Sequence, residues 1–340
     1  MKNPYIKFGY KLLFLLAVMF IIDRIGGAAM AYFFEKEPLG DAAAFSHAIE
    51  NPKEDILIYG SSRALHTYDP RVFQQATGMS CFNCGRNAST IIYHSAIISS
   101  ALTQPAHKPK AIILDLTPKE LSWRGGEDGN DILAGMILPY VEKNKQFEAM
   151  AKDLFPRELL KAKISKLYPY NSMILSIIRN YSKSGNDNVL GYQPLQGSKV
   201  DATPPTITMN AEIDNYAKDK LEYFVKSVTA QGIPLFVIVS PIYLRKYAPT
   251  ESLKVSKQIL DKYGVPLWDY EFDAAYVKQE LFYDNVHMNT KGAELFSAAI
   301  AKRVEEALKK EDQKPLFSRQ TKTADTTAMV RSGNATKGGR

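Results

Sequence analysis

The chain is poor in cysteine, in histidine and in net charge over its central body, and each shortage removes a class of protein. Two cysteines and five histidines among 340 residues cannot build a disulfide scaffold. No second Cys/His pair at ligand spacing joins the C-F-N-C of Cys81 and Cys84, so no four-ligand zinc site is expected, and neither a metal nor a cofactor is implied. These cysteines read as small residues packed beside a loop. A strained local disulfide is the alternative if the body lies outside the cytoplasm. The segment Gly60-Ser61-Ser62-Arg63 has one glycine and no phosphate-binding lysine at Walker spacing, which argues against a nucleotide-binding loop. The formal net charge is +7, but residues 1–34 carry +3 and residues 311–340 another +3, leaving 33 basic and 32 acidic residues between them. A body so nearly neutral offers no basic face for nucleic acid.

One long apolar segment is present. Lys2, Lys7 and Lys11 precede the run Leu12 to Ile22; Asp23-Arg24 interrupts it, and apolar and small residues resume from Ile25 to Phe34. One helix from about Phe8 to Phe34 is about 40 Å long and crosses a bilayer with its charged pair toward one face. The rival is a signal peptide cleaved near Ala29-Met30-Ala31, disfavoured because Asp23-Arg24 breaks the approach to that site. Lysines before the segment and Glu35, Glu37 and Asp41 after it predict an inside N-terminus, a single-pass anchor in the cytoplasmic membrane and an extracytoplasmic, periplasmic body. Asp23 and Arg24 either pair or snorkel to water, or they contact a polytopic membrane partner.

Within the body, short apolar runs alternate with helical patterns, which predicts an α/β fold with a parallel sheet between helices. The strands are expected at Ile56–Tyr59, Ser80–Asn83, Ala111–Leu116, Pro234–Ser240 and Pro266–Tyr270, and helices at about 90–102, 212–231, 251–263 and 290–310. Residues of about 119–211 form an insertion too long for a simple crossover, with its own helices near 131–150, 157–168 and 170–183. There Arg157, Lys161, Lys163, Lys166 and Arg179 interleave with Leu159, Leu160, Ile164, Leu167, Ile174 and Ile177. That pattern fits the solvated face of a helix packed on its domain better than an interfacial helix on anionic lipid. The polar stretch 311–340 reads as a disordered tail. The domain plan is thus an anchor over 1–34, a body over 35–310 and a tail.

Two motifs carry chemistry. Ile56-Leu57-Ile58-Tyr59-Gly60-Ser61-Ser62-Arg63 is a strand ending in glycine and two serines, placing a hydroxyl beyond a strand's carboxyl end, where parallel sheets bind ligands. Alone, it reads as an N-capping serine. The second is Asp284-Asn285-Val286-His287 before the last helix, where a carboxylate three residues ahead of a histidine can orient one ring nitrogen while the other faces a serine. Alone, this is a surface D-x-x-H with Asn289 or Thr290 as cap.

Together, the motifs resemble those of the SGNH (GDSL-like) hydrolase superfamily over most of 55–310. The resemblance implies a three-layer, flavodoxin-like parallel sheet with flanking helices, Ser62 as nucleophile, His287 as base and Asp284 as its orienter. It implies backbone N–H groups of Ser62 and Gly85 as oxyanion donors. The chain departs from the family at Ser61, where an aspartate is usual, and at Leu114-Asp115-Leu116-Thr117-Pro118, which lacks the third-block G-x-N-D. Asn87, Thr117 or no side chain then supplies the third donor. Arg63 reads either as a partner for an anionic substrate or as a brace for a buried acid, the latter favoured. His66, four residues after Ser62, reads as an exposed or substrate-facing histidine. The resemblance implies a membrane-anchored serine esterase or O-acyltransferase acting on acyl groups, acetyl foremost, of an extracytoplasmic polysaccharide. The rival is a non-catalytic assembly protein holding a polymer or a multispanning acyltransferase.

Overall fold

The computed structural model describes residues 3–38, 41–50, 52–103, 108–122, 126–182, 188–206 and 212–312. The expected disordered tail lies, from residue 313 on, outside the described residues. Described residues within Met1–Ser46 and Gly125–Asn186 form one compact unit, and those within His47–Arg124 and Asp187–Arg340 another.

The second unit holds the sheet. Its strands β1 (Ile56–Gly60), β2 (Cys81–Asn83), β3 (Ala111–Asp115), β4 (Leu235–Val239) and β5 (Leu267–Asp269) run parallel in the order β2-β1-β3-β4-β5. Each is short and, except at β5, wholly buried, because helices, among them α4 (Pro70–Thr77), α5 (Ile91–Leu102), α10 (Asn215–Ala230) and α11 (Glu251–Lys262), cover both faces of the parallel sheet. Alternate residues feed two cores. Ile56, Ile58, Ile113 and Ile238 join Phe73, Phe296 and Ile300 on one side, whereas Tyr59 meets Phe224 and His94 on the other. Chain order reverses about β1, with β2 on one side of it and β3 on the other. Such a switch point opens a crevice beyond the strands' carboxyl ends.

The first unit is helical. Its α1 (Pro4–Glu35) starts at Asn3, whose side chain accepts from the Tyr5 amide, with Pro4 in the first turn. At 32 residues it is long and apolar enough to cross a membrane. From Tyr5 to Ile22 its side chains are exposed apart from partly covered Gly9 and Val18; burial begins at Asp23. The segment α2 (Asp41–Glu50) follows, its residues from His47 on belonging to the second unit. The insertion contributes α6 (Gly126–Ile137), α7 (Lys145–Leu154), α8 (Pro156–Ile164) and α9 (Ile174–Ser182). The helix expected over 131–150 is two: Pro139 turns the chain through a 3₁₀ segment, Leu138–Tyr140, and Asn144 caps a new helix. The helix expected over 157–168 stops at Ile164 for a reason local patterning does not carry. Ser165 Oγ donates to Asp23 at 2.5 Å, and the amides of Lys166 and Leu167 donate to the same carboxylate at 3.0 and 3.3 Å. Arg24 donates to the carbonyl of Ile164 and pairs with Asp23 at 3.2 Å. Gly27 allows this contact, since a Cβ there would lie 2.4 Å from Lys166 Cβ. The Asp23-Arg24 pair is therefore engaged within its own chain.

Candidate active site

The site forms where β1 ends. Gly60 has φ +151°, and a Cβ on it would come within 3 Å of Ala64 Cβ and the Asp115 carbonyl, so the turn requires glycine. Ser61 is extended and accepts the Arg63 amide at 3.3 Å, making it the N-cap of α3 (Ser62–Thr67). The capping role thus falls to Ser61, and Ser62 stands at the first helical position with its N–H in the open turn. Asn83, at the end of β2, donates to the carbonyls of Ala64 and Tyr68 at 2.8 Å each, fixing the far end of this short helix.

The partner residues come from the loop before α12 (Thr290–Asp312). Tyr283 N donates to the His287 carbonyl, and Phe282 and Met288 form an antiparallel bridge, closing a tight loop. Asp284 Oδ1 accepts the amides of Val286 and His287 at 3.0 and 2.9 Å, while Asn289 Oδ1 accepts the Gly292 amide and caps α12. His287 Nδ1 lies 2.9 Å from Asp284 Oδ2, and Nε2 lies 2.7 Å from Ser62 Oγ. A carboxylate only accepts, so Nδ1 carries the proton and Nε2 presents its lone pair to the serine hydroxyl. Burial alone would raise the Asp284 carboxyl, but hydrogen bonds from His287 and the two amides outweigh it and hold the group below its ordinary value. The side chains of His287 and Asp284 are 19% and 39% exposed, so the line of three groups is open to solvent.

The expected oxyanion groups fare differently. Gly85 N–H donates to Asn83 Oδ1 at 2.8 Å, so it is engaged in the turn. Its lack of a side chain has a packing cause, because a Cβ would meet Leu65 N at 2.6 Å. Thr117 is withdrawn as well, since its hydroxyl and amide both donate to Glu120 Oε2, at 2.8 and 3.1 Å. Asn87 remains at the site, exposed, its side chain 3.2 Å from His66 Nε2.

His66 corrects the expectation of an exposed or substrate-facing ring. It is buried, 7% exposed, and stands nearly perpendicular to the His287 ring, 84° between planes and 5.2 Å between ring centres. Its Nδ1 donates to the Gln193 carbonyl at 2.8 Å, a partner 127 residues away that no local pattern announces. Burial, with the nearby His287, lowers its pKa and keeps it neutral. Asn87 Oδ1 is the atom that faces Nε2; a neutral His66 has only a lone pair there, so a bond between them requires the amide to turn one Nδ2 proton inward.

Arg63 is buried, 4% exposed. It donates to the carbonyl and Oγ of Ser240 at the end of β4, and its charge offsets part of the rise that burial imposes on Asp115 and Glu271. Asp115 also accepts the Tyr68 hydroxyl at 2.6 Å. Cys81 and Cys84 are buried free thiols with no disulfide between them, and burial raises both. Asn83, Gln193 and Tyr68 are the supporting residues that sequence reasoning missed; of these, only an asparagine ending a strand offered a signal.

No protein-family model matches the chain, and no curated protein matches it in sequence. Among solved structures, a protein from Bacteroides fragilis NCTC 9343, provisionally described as an acylhydrolase, is similar over 78% of this chain and 95% of its own. Identity there is 10% and the TM-score 0.34, a likeness that carries no argument about fold or function.

Proposed function

We propose that the chain is a membrane-anchored serine esterase or O-acyltransferase of SGNH type, with a flavodoxin-like sheet and Ser62, His287 and Asp284 as its triad. The observation that carries this reading is the 2.7 Å approach of His287 Nε2 to Ser62 Oγ with Asp284 behind the ring. Ser62 Oγ attacks the acyl carbonyl carbon while its proton passes to Nε2. Collapse of the tetrahedral intermediate releases the alcohol, which takes that proton and leaves an acyl-Ser62. Water or a sugar hydroxyl, deprotonated by His287, then attacks the acyl carbon and frees the serine. Asp284 holds the tautomer and stabilises the imidazolium. The oxyanion is met by the Ser62 N–H and by the Asn87 Nδ2 proton that His66 does not take, since the single protons of the Gly85 amide and the Thr117 hydroxyl are otherwise bonded.

The substrate in this reading is an acetylated extracytoplasmic polysaccharide, the class that the SGNH resemblance and a membrane anchor together suggest. The rival, a non-catalytic protein holding a multispanning acyltransferase, loses one support because Asp23 and Arg24 are bonded inside their own unit. Turnover of p-nitrophenyl acetate and release of acetate from an acetylated glycan by the full chain in detergent test the proposal. Activity is expected in the parent and absent in Ser62→Ala. Equal activity in both would overturn the assignment.

A further inference from the structure

Apolar side chains stand outside on the insertion as well as on α1. On α8, Leu159 and Ala162 turn inward and are 5% and 4% exposed, whereas Leu160 and Ile164, one turn apart on another face, are 58% and 66% exposed. A helix packed on its domain with only a solvated outer face would carry polar residues there. The position of α8 along α1 gives these two side chains an occupant. The exposed stretch Tyr5–Ile22 spans about 27 Å at 1.5 Å per residue, close to the roughly 30 Å of a hydrocarbon core. Lys7 and Lys11 lie near its start, where they can snorkel to the nearer surface. Burial begins at Asp23, and there the last turn of α8 is tied on by Arg24 to the Ile164 carbonyl, by Asp23 to Ser165, Lys166 and Leu167, and by Gly27 against Lys166.

We propose that the Leu160/Ile164 face of α8 is seated in the bilayer surface where α1 leaves it, so that the chain holds the membrane by a span and by a second, interfacial foot. This rests on reading α1 as a membrane span. A bilayer is favoured over a protein partner because the tie to α1 fixes α8 at the end of the span. The lysines flanking the face are paired, Lys161 with Glu158 and Lys163 with Glu148. Seating is therefore driven by apolar insertion and does not need anionic lipid.

The test uses the full chain in phosphatidylcholine nanodiscs. Single cysteines at Leu160, Ile164, Leu16 and Lys254 carry an environment-sensitive fluorophore, the buried native thiols staying unlabelled, and brominated lipid is the quencher. Variants with parental melting curves are compared. The account predicts loss of emission at 160, 164 and 16 and none at 254, with the same result when anionic lipid is added. Quenching at 16 without quenching at 160 or 164 overturns the foot and leaves the span standing. Labels at 160 and 164 shielded from both lipid and an aqueous quencher would show a protein contact instead, and overturn it too. No quenching at 16 removes the span itself, and the foot with it.

Discussion

In the sheet unit, apolar side chains are withdrawn and polar ones are brought out along one edge, whereas the N-terminal and insertion unit does the reverse. Among the described residues of the sheet unit, Leu190, Tyr223, Val286 and Leu295 are the large hydrophobics left exposed; the helical unit exposes α1 on all sides from Tyr5 to Ile22 and parts of α6, α8 and α9. Its charged pair, Asp23 and Arg24, is turned inward to hold two segments together, while Ser62, His287 and Asp284 remain open to solvent. In the proposed reading, one unit is built around a reacting group and the other around an attachment, so changes in one should leave the other's readout unmoved.

The largest expected effect is at the open edge. Ser62→Ala or His287→Ala should lower kcat/KM by about 10³-fold or more, measured on an acetate ester, while Asp23→Ala should leave it unchanged. Next comes the oxyanion. Asn87→Ala should lower kcat by about 10²-fold, the usual loss for one donor, with KM little altered. In the helical unit, Gly27→Val forces a side chain into the backbone of Lys166 and should cost about 1–3 kcal/mol. A melting curve and faster proteolysis of the insertion check this, with serine labelling unaffected.

A fourth test reads the interior of the sheet unit. His94 is fully buried beneath the Gly60 turn, donating Nε2–H to Ser89 Oγ at 2.9 Å, and burial pushes its pKa down from 6.5 to about 3. The unfolded chain therefore takes up the proton first as pH falls, so stability is full above 6.5 and is lost progressively from there toward 3. Between pH 7 and 5 this one residue should remove about 2 kcal/mol, and urea titrations of His94→Gln should show that part of the slope gone. The smallest effect on chemistry is expected at Thr117→Val, less than about threefold in kcat, because its hydroxyl belongs to Glu120. A loss there as large as at Asn87 would reverse the oxyanion assignment.

Much of the sheet was legible because strands buried on both faces read as plain apolar runs, as at Ile56–Gly60 and Leu235–Val239. The meeting of Ser62 with His287 was legible through the resemblance that the two motifs carry together; each alone read as a cap or a surface D-x-x-H. What was not legible depended on distant partners. Helix α8 ends where Asp23, more than 140 residues earlier, captures Ser165 and Lys166. His66 is buried with its Nδ1 on the Gln193 carbonyl, 127 residues away; Gly85, by contrast, gives its amide to Asn83 only two residues before it, a turn bond that an apolar pattern does not show. Local periodicity carries none of these.

The central claim is that Ser62 is the nucleophile of a working site. Full-length protein treated with a fluorophosphonate and mapped by peptide mass spectrometry should carry the adduct on Ser62 alone, with none on Ser61, and should lose it in His287→Ala. An adduct on another residue, or labelling that persists unchanged in Ser62→Ala, would contradict the account.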